Sequence, residues 1–426
     1  MIENQKGGNL SMKRTTTLAA ALTMVCLDLG SAPAWAQATP SPAPAPAPAP
    51  AAAAPAAEAP PPASPVSMPA MAAGSLTTNV KPMKIDGGPL LGDVYVTGVL
   101  SGMAMYQSNL FTSVVPDDHR NQVDLTNGQV FVQKVDGPIQ FFLEGGAYSL
   151  PALGAPYIRA GTATGDFFGG LPQWFVKWAP NDSFSVQAGN LPTLIGAEYT
   201  FSFENVNVQR GLLWNQENAV NRGVQANYAV GPVALSFAWS DGFFSNRYSW
   251  LTGSATYTID PANAIAFVGG GSVNTETVSS TATPLLQNNQ SIYNVIYTHT
   301  TGPWTLVPYF QYTSVPEDPQ LGTTHRLSTY GGALFAIYAM DGGYSVASRI
   351  EYIKSNGDPG DPSLLYGPGS RAWSFTITPT YQNKFFFARG EFSYVRAGSI
   401  TPGFAFGPTG TTDSQTRVLL ETGIIF

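Results

Sequence analysis

The stretch from Leu191 to Val220 gathers Glu198, Glu204, Arg210 and Glu217, with Arg222 just beyond, among Phe201, Phe203, Leu212, Leu213 and Trp214. Acidic and basic groups set among large apolar side chains can anchor a segment to a surface, or set the charge of a water-filled space. They are not laid out for bond-making chemistry. That requires a nucleophile, a base and an orienting group in contact. The histidines are His119, His299 and His325; the first and last fall in long loops and His299 lies near a turn. The sequence contains no serine-centred glycine elbow, no Cys/His cluster and no phosphate-binding loop. An enzyme is not expected, nor a metal or cofactor. Asp358 and Asp361, in a Gly-Pro segment, read as a polar loop tip.

A second set of charges lies inside alternating segments: Lys134, Glu144, Lys177, Arg349, Glu351, Arg389, Glu391, Arg417 and Glu421. The C-terminus shows how they are positioned. At period two, Val418, Leu420, Thr422, Ile424 and Phe426 share one face, while Arg417, Glu421 and Gly423 share the other. The same pattern recurs in Trp174, Val176 and Trp178 against Phe175 and Lys177, and in Val233, Leu235, Phe237 and Trp239 against Ala234, Ser236, Ala238 and Ser240. A strand in a membrane barrel turns its apolar face to lipid and its polar face to a wet lumen. Turning the basic residues to lipid would cost about 2–4 kcal/mol each near the midplane. All nine charges are therefore assigned to the lumen wall.

Tight turns are spelled by Asp136-Gly137, Pro180-Asn181-Asp182, Gly231-Pro232, Asp260 to Asn263, Gly302-Pro303, Asp341-Gly342-Gly343 and Gln382-Asn383. Between them fall longer polar or Gly-rich stretches near 109–121, 150–170, 191–220, 241–248, 274–290, 314–327, 355–370 and 397–414. Short and long connections alternate strictly. This predicts an all-β fold, a transmembrane antiparallel barrel of about 16 strands, with short periplasmic turns and long external loops. Only 11% of the residues are charged, 12% are aromatic and 44 are Gly, which suits lipid-facing strands. A net charge of −7 gives no footing for nucleic acid.

The first residues stand apart. Lys13 and Arg14, the apolar run Leu18 to Leu27 and Ala34-Trp35-Ala36 have the layout of a secretory signal peptide over 1–36, with Met12 as an alternative start. Cys26 is the sole cysteine and falls inside that leader. Residues 37–89, dominated by Ala and Pro as far as Ala73, read as a disordered periplasmic tether, with the barrel spanning 90–426. Phe426, a terminal aromatic on the apolar face, resembles the signal by which bacterial outer-membrane barrels are recognised for assembly.

The loop 191–220 falls between the predicted fifth and sixth strands. Its apolar content calls for a surface to pack on, and the inner wall supplies one. In position, size and mixed character it resembles the inward-folding third loop of general diffusion porins. Gly189 to Glu198, Asn205 to Trp214 and Gly223 to Tyr228 resemble the OmpL-like β-barrel porins, most densely over 183–230. In that family a strand ending in Gly-Asn runs into a Gly-Ala-Glu turn, an Arg-Gly element and a further strand. The resemblance implies passive passage of small hydrophilic solutes, with Glu198 and Arg210 positioning the loop. The Ala/Pro tether is not part of that pattern.

The expected function is thus an outer-membrane pore for small solutes and ions, narrowed by this loop and mildly cation-preferring through Glu198, Glu204 and Glu217. Outer-membrane lipid and the barrel assembly machinery are its expected partners. A homo-oligomer is compatible with the sequence, although no residue marks a subunit interface. The alternatives are a substrate-selective transporter, whose aromatic track Tyr293, Tyr297 and Tyr309 neither establish nor exclude, and a non-conducting barrel that anchors the tether.

Overall fold

The computed structural model describes residues 72, 74–79, 81–111 and 118–426. The leader (1–36) and most of the tether lie outside the described residues. The chain enters through strand β1 (Met83–Asp86), a short helix α1 (Gly88–Leu91) and β2 (Asp93–Gln107). There follow β3 (Asn121–Lys134), β4 (Ile139–Tyr148), β5 (Trp174–Asn181), β6 (Phe184–Pro192), β7 (Val220–Val230), β8 (Val233–Ser240), β9 (Trp250–Asp260) and β10 (Asn263–Ser272). The remaining strands are β11 (Ser291–Thr301), β12 (Trp304–Val315), β13 (Leu327–Ala339), β14 (Tyr344–Ser355), β15 (Arg371–Asn383), β16 (Phe386–Gly398) and β17 (Ser414–Ile425).

Each strand from β2 onward pairs antiparallel with the next, and β17 returns to β2, from Arg417–Gln107 to Ile425–Val99. These sixteen strands close a barrel and leave no free edge, so the backbone groups of every strand find partners without water. β1 pairs only with β2, over Met83–Val96 to Asp86–Asp93. The ordered end of the segment read as tether therefore begins earlier than composition suggested, where Ala and Pro give way to Lys81-Pro-Met-Lys-Ile-Asp.

The lipid-facing surface follows from the alternation. Trp174, Val176, Trp178, Leu235, Phe237, Trp239 and Ile350 are all exposed, a display that water would penalise and lipid does not. Trp304, Tyr344 and Tyr352 also face outward near strand ends, where amphipathic rings suit the interface. Among the described residues no helix is long and apolar enough to cross a membrane. Short turns fall where expected, except that the last is Lys384-Phe385, with Lys384 at φ 55, two residues beyond the expected Gln382-Asn383.

Two charged residues depart from their predicted face or place. Lys134 is not a lumen residue. β3 and β2 lose register at Ser101–Gly102, so that Asn127 opposes Ser101 while Leu125 opposes Gly102. The extra residue, Thr126, shifts the alternation by one. Beyond it Asn127, Gln129, Phe131 and Gln133 are buried inward, and Lys134 falls on the outer face at the turn, paired with Asp136 at 2.7 Å. Arg222 likewise does not face the barrel interior but lies on the outward parity of β7 beside exposed Val224. It is held by Asp241 at 2.7 Å and stacks on Phe244.

Candidate functional site

The loop between β6 and β7 touches the wall at widely separated strands. Ser202 accepts a hydrogen bond from Asn127 of β3 at 2.8 Å. Gly196 donates to Asn294 of β11 at 3.1 Å, and the Leu213 carbonyl accepts from Gln311 of β12 at 3.0 Å. Asn207 donates to Thr378 of β15 at 2.7 Å. A segment that reaches β3, β11, β12 and β15 of one closed barrel must lie inside it.

Charged wall residues hold it there. Arg349 of β14 donates to the Glu198 carboxylate at 2.5 Å and to the Gln209 carbonyl at 2.9 Å, with Glu351 3.1 Å from its Nε. Glu391 of β16 accepts the backbone N–H groups of Val208 at 2.6 Å and Gln209 at 3.2 Å. Arg389 pairs with Glu421 at 2.5 Å and donates to the carbonyls of Ser202 and Asn205 at 3.1 and 3.0 Å. Arg417 of β17 reaches the Gln209 side chain at 3.1 Å and the carbonyls of Ala152 and Ala155 at 2.6 Å each. These wall charges are buried beneath the loop rather than bathed by the lumen. Charge-assisted bonds of this kind are about twice as strong as neutral ones, and here they satisfy backbone groups that the loop, lacking regular structure, cannot satisfy itself.

The loop's own charges are used in the same way. Glu198 accepts the Gly211 N–H at 2.8 Å. A Cβ on Gly211 would stand 2.0 Å from the Glu351 carboxylate, so any side chain there would displace that carboxylate from Arg349. Glu217 accepts from the Tyr309 hydroxyl at 2.6 Å. Arg210 donates to the Thr200 carbonyl at 2.7 Å and lies over Trp214, while its backbone joins Ala152 in a parallel bridge to the preceding long loop. Glu204 accepts the Phe201 N–H at 2.8 Å. Burial pushes its carboxyl up to about 8, and that of Glu198 rises for the same reason despite the Arg349 guanidinium. Glu144, also predicted inward, is buried on β4 and accepts from Gln129 at 2.6 Å. Lys177 stays partly open on the inner wall of β5.

On the other side of the loop a cavity of about 260 Å³ remains. Its wall runs from β9 to β13, with Ser254, Thr256, Thr298, Val307, Phe335 and Ile337 among its residues, and its loop side includes Glu198, Tyr199 and Asn205. Glu198 is the one charged residue in that lining among the described residues. Glu204 and Glu217 contribute no free charge to it.

Sequence reasoning assigned the wall charges to the lumen and gave only Glu198 and Arg210 a part in positioning the loop; it did not foresee the bonds that Asn127, Asn294, Tyr309, Gln311 and Thr378 make to it. An inward polar parity was the available signal, most visibly in Gln129 and Gln133 alternating with Val130 and Val132. It also missed the other long loops that turn inward, tied together by Tyr366 donating to the Gly154 carbonyl at 3.2 Å and by the ring contacts of Phe111, Tyr366 and Phe406. In the external loops His325, Asp358 and Asp361 place one ligand atom each within 4.8 Å of one another. Both Asp361 oxygens already accept bonds, from Thr324 at 2.8 Å and the Asp358 N–H at 2.9 Å, so the cluster is satisfied as a loop clasp.

Solved structures with this architecture are outer-membrane proteins. OmpT of Vibrio cholerae, expressed in the outer membrane, is 12% identical with a TM-score of 0.53, over 81% of this chain and 100% of its own. An anion-selective porin from Comamonas acidovorans is 11% identical with a TM-score of 0.52, over 78% of this chain and 99% of its own. A trimer form of in-vitro folded Vibrio cholerae OmpT is 10% identical with a TM-score of 0.51, over 78% and 99%. At these identities the likeness concerns the fold alone. No curated protein matches the sequence. The family described as "Putative beta-barrel porin-2, OmpL-like" matches residues 93–426, from the start of β2 to the terminal aromatic. With that match spanning the whole sixteen-stranded barrel, the chain belongs to the OmpL-like β-barrel porin family of the outer membrane.

Proposed function

We propose that the protein is a porin through which small hydrophilic solutes and ions diffuse passively, and that the loop between β6 and β7 forms its constriction. One observation carries the reading: the loop is bolted to β14–β17 by Arg349, Glu391, Arg389 and Arg417, with an unfilled cavity left between it and β9–β13. A fixed obstruction beside an open space narrows a passage without closing it. Hydroxyl and apolar side chains, the latter including Ile296, Phe335 and Ile337, dominate the cavity wall, which favours little discrimination by charge, with a slight cation preference from Glu198. Among the described residues the three histidines stand apart: His299 is bonded to Asn263 at 2.7 Å beside a turn, and His119 and His325 lie in external loops. The trimer form of OmpT supports a homo-oligomer.

The decisive experiment is single-channel recording from the purified mature protein in planar bilayers, with and without residues 195–215. Stable conductance that rises on deletion is the expected result. Silence in both, and in the same chain begun at Lys81, with the barrels shown to be folded by heat-modifiable gel mobility, would reject the pore and favour a non-conducting anchor.

A further inference from the structure

The segment before β1, expected to be a mere tether, enters the barrel. Leu76 is 5% exposed and belongs to one buried cluster with Val99, Phe131, Phe387 and Ile425, side chains on the inward parity of β2, β3, β16 and β17. Thr77 is clasped at two points by Gln382, its N–H donating at 2.8 Å and its carbonyl accepting at 2.9 Å. Gly74, at φ +81, passes so near Ile337 that a Cβ would meet that side chain at 3.0 Å. Ala72 lines the 260 Å³ cavity, and its N–H donates to the Glu204 carbonyl at 2.8 Å. Gln382, Phe387 and Ile425 mark the turn end of the barrel, on the same side as β1 and the C-terminus. The segment therefore rises from that mouth while the constriction loop descends from the other, and the two meet backbone to backbone.

We infer that Ala72 and residues 74–79 belong to a built-in plug, which braces the constriction loop from below and occupies the periplasmic half of the passage. The inference rests on the pore reading. A contact made only by crowding would not bury a leucine in an inward apolar cluster, saturate a peptide group with one glutamine and end on a loop carbonyl. Two variants separate the plug from mere attachment. The first is the mature chain begun at Lys81. The second is Leu76→Asp, which keeps the arm at full length but places a carboxylate in that apolar cluster, where burial without a partner is costly.

Single-channel conductance of both is compared with the full mature chain in planar bilayers, with folding checked by heat-modifiable mobility. The expected result is at least a twofold rise for the truncated chain and a smaller rise, with added open-channel noise, for Leu76→Asp. A silent parent beside a conducting truncation would also uphold the plug. Equal conductance in all three would overturn it and leave the pore intact. Silence in all three, with folded barrels, would defeat the pore reading and the plug with it. If the truncated chain does not fold, Leu76→Asp decides: parental conductance from that variant overturns the proposal.

Discussion

Arg349 sits between two carboxylates, Glu198 of the loop and Glu351 of its own strand, all three buried. Replacing it by methionine leaves two acids facing each other without a cation, and breaking a buried pair this way costs on the order of 3–5 kcal/mol. The barrel's strand pairing does not depend on this contact, so the cost falls on the seating of the loop. Arg349→Met is expected to expose the loop to added protease and raise open-channel noise, while heat-modifiable mobility stays parental. Protease resistance equal to the parent would show that the pair does not hold the loop. Glu204 gives the loop a dependence on pH. Its carboxyl, raised to about 8 by burial, favours the protonated form in the seated loop. That contribution is complete below the ordinary carboxylate range and is lost as pH climbs through about 8. Open-channel noise should therefore grow between pH 5 and 9, and Glu204→Gln should flatten the trend; a parent flat across that range would contradict it.

At the level of elements, most of the barrel was legible because lipid and lumen make opposite demands on successive residues, and because turns need Gly, Pro, Asn or Asp. Arg349, Arg389, Glu391, Arg417 and Glu421 fall on the parity opposite the exposed apolar residues of their strands for that reason. Lys134 does not: it shares the outward parity of Val130 and Val132, and its charge at the strand end is accommodated by the turn, where it pairs with Asp136. Nor did the sequence tell that the inward charges would be spent on holding backbone: alternation assigns a face, not a partner. Likewise Ala72 to Asn79 looked like spacer, since an arm that packs through a single leucine has no periodicity to read. The closing seam is open to test. Gly98 and Phe426 exchange backbone bonds at 2.8 and 3.0 Å, and the Phe426 ring covers the point where a Gly98 Cβ would stand, 2.4 Å away. Gly98→Leu should displace that ring and lower the yield of folded barrel in membranes, as should Phe426→Ala. Parental yields of both would separate the terminal aromatic from assembly.

For the whole molecule, the loop is held all round the barrel, by neutral bonds to β3, β11, β12 and β15 and by charged ones to β14, β16 and β17. Charged bolts are concentrated on β14–β17, whereas β9–β11 present Ser254, Thr256, Ala266 and Thr298 to the cavity. Thr256→Lys should accordingly shift the reversal potential in a salt gradient toward anions without altering heat-modifiable mobility. An unchanged potential would mean that ions do not pass this wall. On the proposed pore reading the passage is eccentric, with the charged anchors gathered on one arc and an uncharged lining on the other. Evolution can then revise what the protein admits by small exchanges on the second arc, leaving the first as a fixed chassis, so relatives with the same anchoring residues need share no diet.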